Sequence, residues 1–71
     1  MKEKIIKIIK KQNEQLKVIN NLITALETEY KKLESTGDEI LLLNIESDIR
    51  MNKTKKQAIE LNIELLKAVL V

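Results

Sequence analysis

Glu34-Ser35-Thr36-Gly37-Asp38-Glu39 decides the fold of this chain, because it holds the only glycine in 71 residues and no proline occurs anywhere. Glycine adopts the left-handed conformation that ends a helix at little steric cost. Thr36 or Asp38 can then satisfy the free amides at the start of a following helix, and Thr36-x-x-Glu39 has the spacing of a capping box. The stretch lies near the midpoint, so two arms of similar length flank a single reversal. The expected fold is all-α: an antiparallel helical hairpin with helices over about 2–35 and 38–70, a turn at about 35–38, and one domain over 1–71.

Outward from the turn, both arms carry the same rhythm. In the first, Ile5, Ile9, Leu16, Ile19, Ile23, Leu26, Tyr30 and Leu33 recur in alternating steps of four and three once Gln12 is counted as a polar member. As heptads, Ile9, Leu16, Ile23 and Tyr30 take a, and Ile5, Gln12, Ile19, Leu26 and Leu33 take d. At ~1.5 Å per residue such an arm is a rod roughly 50 Å long. Ile6, Ile8, Val18, Leu22 and Ala25 flank the stripe, which is therefore wider than a two-stranded seam and calls for more than one neighbour.

In the second arm, Leu42, Ile45, Ile49, Ile59, Ile63, Leu66 and Leu70 keep the rhythm through Asn52 and Lys56. A true break would reset the phase, so one long helix is favoured. The alternative is a three-helix chain broken near Lys53-Thr54, with Thr54 as N-cap and Gln57 three residues on. A hairpin folded about residues 36 and 37 sets Asn52 level with Asn20, Asn21 and Leu22, and Lys56 level with Lys17. The resulting polar layer reads as a register device.

Composition narrows the function classes. Hydrophobic residues at 44% and charged residues at 34% argue against disorder, and with Tyr30 the single aromatic the core must be aliphatic, as in helical bundles. No Cys or His is present, so disulfides and the usual zinc, haem and iron–sulfur sites are excluded, and no cofactor or metal is expected. So small a chain has difficulty covering its own apolar surface, which leaves self-association as the route to stability. The expected oligomer is a homodimer of hairpins, a four-helix bundle densest near the chain termini. Its interface is assigned to Ile5, Ile9, Leu16, Ile19, Ile23, Ile59, Ile63, Leu66 and Leu70. The longest apolar run, Ile40-Leu41-Leu42-Leu43, is far short of the ~20 residues that span a bilayer. The charged N-terminal stretch lacks a cleavage site, so a cytoplasmic location is expected. Richness in Lys, Ile and Asn suits an AT-rich genome, such as a low-GC bacterium or its phage.

Net charge is only +2, but the charges are sorted along the rod: Glu27, Glu29, Glu34, Asp38, Glu39, Glu46 and Asp48 cluster near the turn, while Arg50, Lys53, Lys55 and Lys56 form a basic belt with Lys7, Lys10, Lys11 and Lys17. The belt is the candidate surface for a charged partner. It lacks the short recognition helix, aromatic platform or Arg-rich face that nucleic-acid modules add. Catalysis is not expected either, since a helical rod offers no concave pocket in which to desolvate a carboxylate or lysine.

Glu29, Leu33, Gly37-Asp38, Leu42, Ile45 and Ile49 form a pattern loosely similar to the helical hairpin of flagellar export chaperones. It covers half of the chain, its Leu-to-Gly spacing departs from that family, and no family is assigned from it. The function expected from the residues is that of a non-catalytic protein–protein interaction module: a small adaptor, chaperone or inhibitor acting through exposed helix faces, with itself and another protein as partners. The alternative is a small nucleic-acid- or nucleotide-binding regulator of phage or plasmid type that grips phosphates with the basic belt.

Overall fold

A computed structural model describes residues 1–71. It contains two helices and no strand: α1, Lys2–Glu34, and α2, Glu39–Leu70. They pack against each other as an antiparallel hairpin whose Cα atoms span 53 × 14 × 12 Å. No helix is long and apolar enough to cross a membrane.

The reversal is made by local hydrogen bonds that the sequence supplies. Ser35 is still in right-handed helical conformation, with φ −72° and ψ −17°. The Ser35 hydroxyl donates to the Lys32 carbonyl at 2.8 Å, and Thr36 donates twice to the Leu33 carbonyl, from its hydroxyl at 2.7 Å and its amide at 3.0 Å. Carbonyls that α1 cannot satisfy internally are thereby paired. Gly37 then reverses the chain at φ +72°, the only positive φ in the molecule. Asp38 is the N-cap of α2, its carboxylate accepting from the Leu41 amide at 3.1 Å.

The capping box expected from Thr36 and Glu39 does not form. Thr36 precedes the glycine and so belongs to the last turn of α1, where its hydroxyl is already donating backwards. Asp38 alone follows the reversal, and only its side chain can reach the amides of α2.

α2 runs unbroken from Glu39 to Leu70, which overturns the three-helix alternative. Thr54, its proposed N-cap, donates instead to the Arg50 carbonyl at 3.1 Å. Such back-bonding satisfies a threonine hydroxyl inside a helix, and neither Gly nor Pro is present there to interrupt the ladder.

Burial follows the heptads without exception. Every a and d position from Ile5 to Leu33 and from Leu42 to Leu70 is buried or half-buried, and every other residue is exposed. Ile23, Ile45 and Ile63, at 6%, 9% and 5% exposure, are the only buried residues. They are spread along the rod rather than gathered at one end, because each helix has only one neighbour to cover it.

The two stripes run in opposite directions, so their members fall level in order from Leu33 with Leu42 and Tyr30 with Ile45 out to Ile9 with Leu66 and Ile5 with Leu70. Lys53 meeting Glu27 on one side and Lys55 sharing a groove with Gln15 on the other bracket this register evenly. Asn52 therefore comes level with Ile23, Lys56 with Ile19 and Gln12 with Ile63. The folding point lies one residue beyond 36 and 37, since Gly37 and Asp38 are the pivot. Each polar seam residue thus faces an isoleucine rather than another polar group. Asn52 Nδ2 donates within its own helix, to the Asp48 carbonyl at 2.8 Å, while Gln12 Oε1 is buried with no partner at all.

Candidate protein-interaction face

Antiparallel pairing sorts the flanks of the seam onto two sides of the rod. In such a pair, positions e and b of both helices share one side and positions g and c share the other. The two sides of this hairpin differ sharply in chemistry.

On the e and b side lie Lys10, Lys17, Asn20, Thr24, Glu27 and Lys31 from α1, with Glu46, Arg50, Lys53, Gln57, Glu60 and Glu64 from α2. The charges alternate across the seam: Lys10 is level with Glu64, Lys17 with Glu60, and Lys31 with Glu46. One pair closes within 4 Å, Lys53 Nζ to Glu27 Oε2 at 3.9 Å, with both side chains about half exposed. An exposed pair at that distance contributes well under ~1 kcal/mol. Its value is in fixing the sense and register of pairing. The shallow groove on this side is lined almost entirely by polar residues, among them Asn20, Thr24, Glu27, Lys53, Gln57 and Glu60.

The g and c side carries most of the exposed apolar side chains, set among polar residues that include Lys11, Gln15, Glu29, Asp48, Lys55 and Asn62. α1 contributes Ile8, Val18, Leu22 and Ala25; α2 contributes Leu41, Met51, Ala58, Leu65 and Val69. None of these is covered: Val18 is 67% exposed, Leu22 44%, Met51 54% and Leu65 58%. Leu61, on the outer surface of α2, widens the patch at 61% exposure. Between the helices on this side runs the largest groove of the molecule, about 790 Å³, lined by Lys11, Gln15, Val18, Ile19, Lys55 and Ala58 among others. An exposed apolar strip running most of the length of a small protein is the signature of an interaction surface.

The residues assigned from sequence to the oligomer interface, Ile5, Ile9, Leu16, Ile19, Ile23, Ile59, Ile63, Leu66 and Leu70, all lie in the seam between α1 and α2. They hold one chain's helices together. The g and c face stays exposed in the single chain; Ile8, Val18, Leu22 and Ala25 are the flanks of α1 that the sequence indicates, and Met51, Ala58, Leu65 and Val69 of α2, not indicated by it, lie beside them. The signal was present: these four also fall at g and c, and the antiparallel sense dictated by the turn puts them beside the flank of α1.

The basic belt is divided by the fold. Arg50 and Lys53 point to the wet side, where Lys53 meets Glu27; Lys56 occupies the seam, half-buried; Lys55 lines the groove on the apolar side. The four do not form one positive stripe. They were read as a cluster because they are close along the chain, whereas bearing around the helix decides what they face.

Comparison with known proteins adds nothing to the geometry. The chain matches no protein-family model, no curated protein and no solved structure. Its function is therefore argued from its own residues.

Proposed function

We propose that this chain is a non-catalytic protein–protein interaction module, an adaptor, chaperone or inhibitor that works by presenting a two-helix apolar face to another helical surface. The observation that carries the reading is the sidedness of the rod. Charged and polar residues dominate one flank of the seam on both helices, with Ile6 and Leu43 as exceptions, while uncovered Ile, Val, Leu, Met and Ala side chains are concentrated on the other, among a smaller number of charges. Helix faces of this kind are recognised by knobs set at three- and four-residue spacing, and Val18, Leu22 and Ala25 have that spacing, as do Ala58, Leu61 and Leu65. The grooves beside the seam are open troughs, suited to side chains from a partner helix. The rival reading, a grip on nucleic acid by the basic belt, draws less support, because the belt is split between two sides and the side bearing Arg50 and Lys53 also bears Glu27, Glu60 and Glu64.

Site-specific photocrosslinking tests the reading. A photoreactive residue at Val18, on the apolar face, is expected to give protein adducts in the cells that make this chain, while the same residue at Thr24, on the wet side, gives none. Equal labelling at both positions, or no adduct at either, would refute the assignment of the face.

A further inference from the structure

The apolar face is not uniform along its length, and its charges are sorted in a way that selects a partner. Toward the open end it carries Lys4 and Lys11 and toward the turn Glu29, Lys32 and Asp48, with Lys55 near the middle. None of these has an ion-pair partner, since the only salt bridge of the molecule is on the other side. Glu29 and Asp48 lie level with each other, so two acidic groups and one lysine, Lys32, sit at one end of the face and two lysines, Lys4 and Lys11, at the other. A surface with this polarity is complementary to its own reversed image.

We propose that a second copy of this chain docks on the g and c face in antiparallel orientation, about a two-fold axis that crosses the face level with residue 20 of α1 and residue 55 of α2. The inference rests on the reading of that face as an interaction surface and names its occupant. Three observations support it. First, the axis sets Lys11 of each copy against Glu29 of the other, forming two symmetric ion pairs. A parallel two-fold would lay α1 of one copy over α2 of the other and drive Glu29 against Asp48, which like-charge repulsion disfavours.

Second, the apolar residues fall into register. Val18 meets the second copy's Leu22, Met51 meets its Ala58, and Leu41 meets its Val69. The second copy's Leu22, Ala25 and Met51 come level with the groove between Lys11 and Lys55, where a trough of about 790 Å³ stands open in the single chain. Asp48 comes level with the second copy's Asn62, a donor for its carboxylate.

Third, the size is right. A face 53 Å long and 14 Å wide between Cα extremes has an area of about 740 Å². Stable interfaces bury roughly 800 Å² per partner, so nearly the whole face must be used. The axis lies close to the midpoint of the rod, which makes that overlap possible. The same register leaves Lys55 facing its counterpart at the axis, a like-charge contact that weakens the dimer and supplies an internal check.

The test is a charge exchange read by sedimentation and light scattering across a wide concentration range. Wild type is expected to dimerise. Lys11→Glu and Glu29→Lys should each raise the dimer dissociation constant about tenfold or more, because two attractive pairs become repulsive. The double variant, which restores opposite charges across the interface, should return to within a few fold of wild type, and Lys55→Met should dimerise more tightly. All three positions are exposed in the single chain, so helical content by circular dichroism should be unchanged, which separates lost docking from lost folding. A double variant no better than the singles would overturn the antiparallel register. A wild type that stays monomeric at millimolar concentration would overturn the second copy as occupant; adducts from Val18 to a different protein would then leave the interaction reading standing, and their absence would remove both.

Discussion

Replacing Gln12 with leucine should stabilise the hairpin, and the size of the effect follows from where its side chain sits. Gln12 occupies a d position level with Ile63, the most buried residue of the chain at 5% exposure, and its Oε1 is shielded from water without a hydrogen bond. An acceptor removed from water and left unpaired costs about 1–3 kcal/mol. Gln12→Leu removes that cost and adds apolar contact with Ile63, at about 25 cal/mol per Å² of area covered. The position is only half-buried, so the lower part of the range applies, and a net gain of about 2 kcal/mol is expected. For a domain of this size each kcal/mol raises Tm by about 4–8 °C. Thermal and urea unfolding followed by circular dichroism, at matched protein concentration, would measure the shift. Asn52→Leu is the internal comparison: the Asn52 amide is already satisfied by the Asp48 carbonyl at 2.8 Å, so only the burial term is gained and the increase should be smaller. A Gln12→Leu variant no more stable than wild type would refute the reasoning, because Gln12 would then have to be hydrated or paired.

Two further substitutions test the scaffold. Asp38→Ala removes the carboxylate that accepts from Leu41 N at 3.1 Å and should cost about 1 kcal/mol in urea unfolding, whereas Asp38→Asn, which keeps a capping oxygen, should lie close to wild type. Ile23→Ala empties a buried seam position and should cost about 2–3 kcal/mol, near the low end for such changes because the seam is open on its flanks; Ile6→Ala, at a position 54% exposed on the wet side, should change stability by less than about 0.5 kcal/mol.

The seam was legible in the sequence, down to its polar members. Alternate spacing of Ile and Leu, with Tyr30, Gln12, Asn52 and Lys56 in phase, located every buried and half-buried position, and the unbroken phase through Asn52 and Lys56 correctly indicated one long α2. The reversal at Gly37 was legible because a lone glycine between two periodic arms has no other use. The choice of cap was not, since Thr36 and Asp38 both fit the spacing, and only the position of the reversal between them assigns Thr36 backward and Asp38 forward. The sidedness of the rod was half legible. Heptad letters give each residue's bearing on its own helix, but which flanks of the two helices meet depends on the antiparallel sense, and charges counted along the rod obscured what they face around it. For that reason Lys55 was grouped with Arg50 and Lys53, although the fold puts it across the seam from them.

The order in which polar layers occur along the seam also sets the order in which the hairpin closes. The layers nearest Gly37, Leu33 with Leu42, Tyr30 with Ile45 and Leu26 with Ile49, hold no amide or charged side chain and enclose the shortest loops, so their closure entropy is least and is repaid soonest. Beyond them Asn52, Lys56 and Gln12 follow at intervals, each slowing the advance of pairing toward the termini. The expected order of folding is therefore a zipper from the turn. Changes at Tyr30 or Ile45 will act mainly on the rate of folding, and changes at Ile5 or Leu70 mainly on the rate of unfolding.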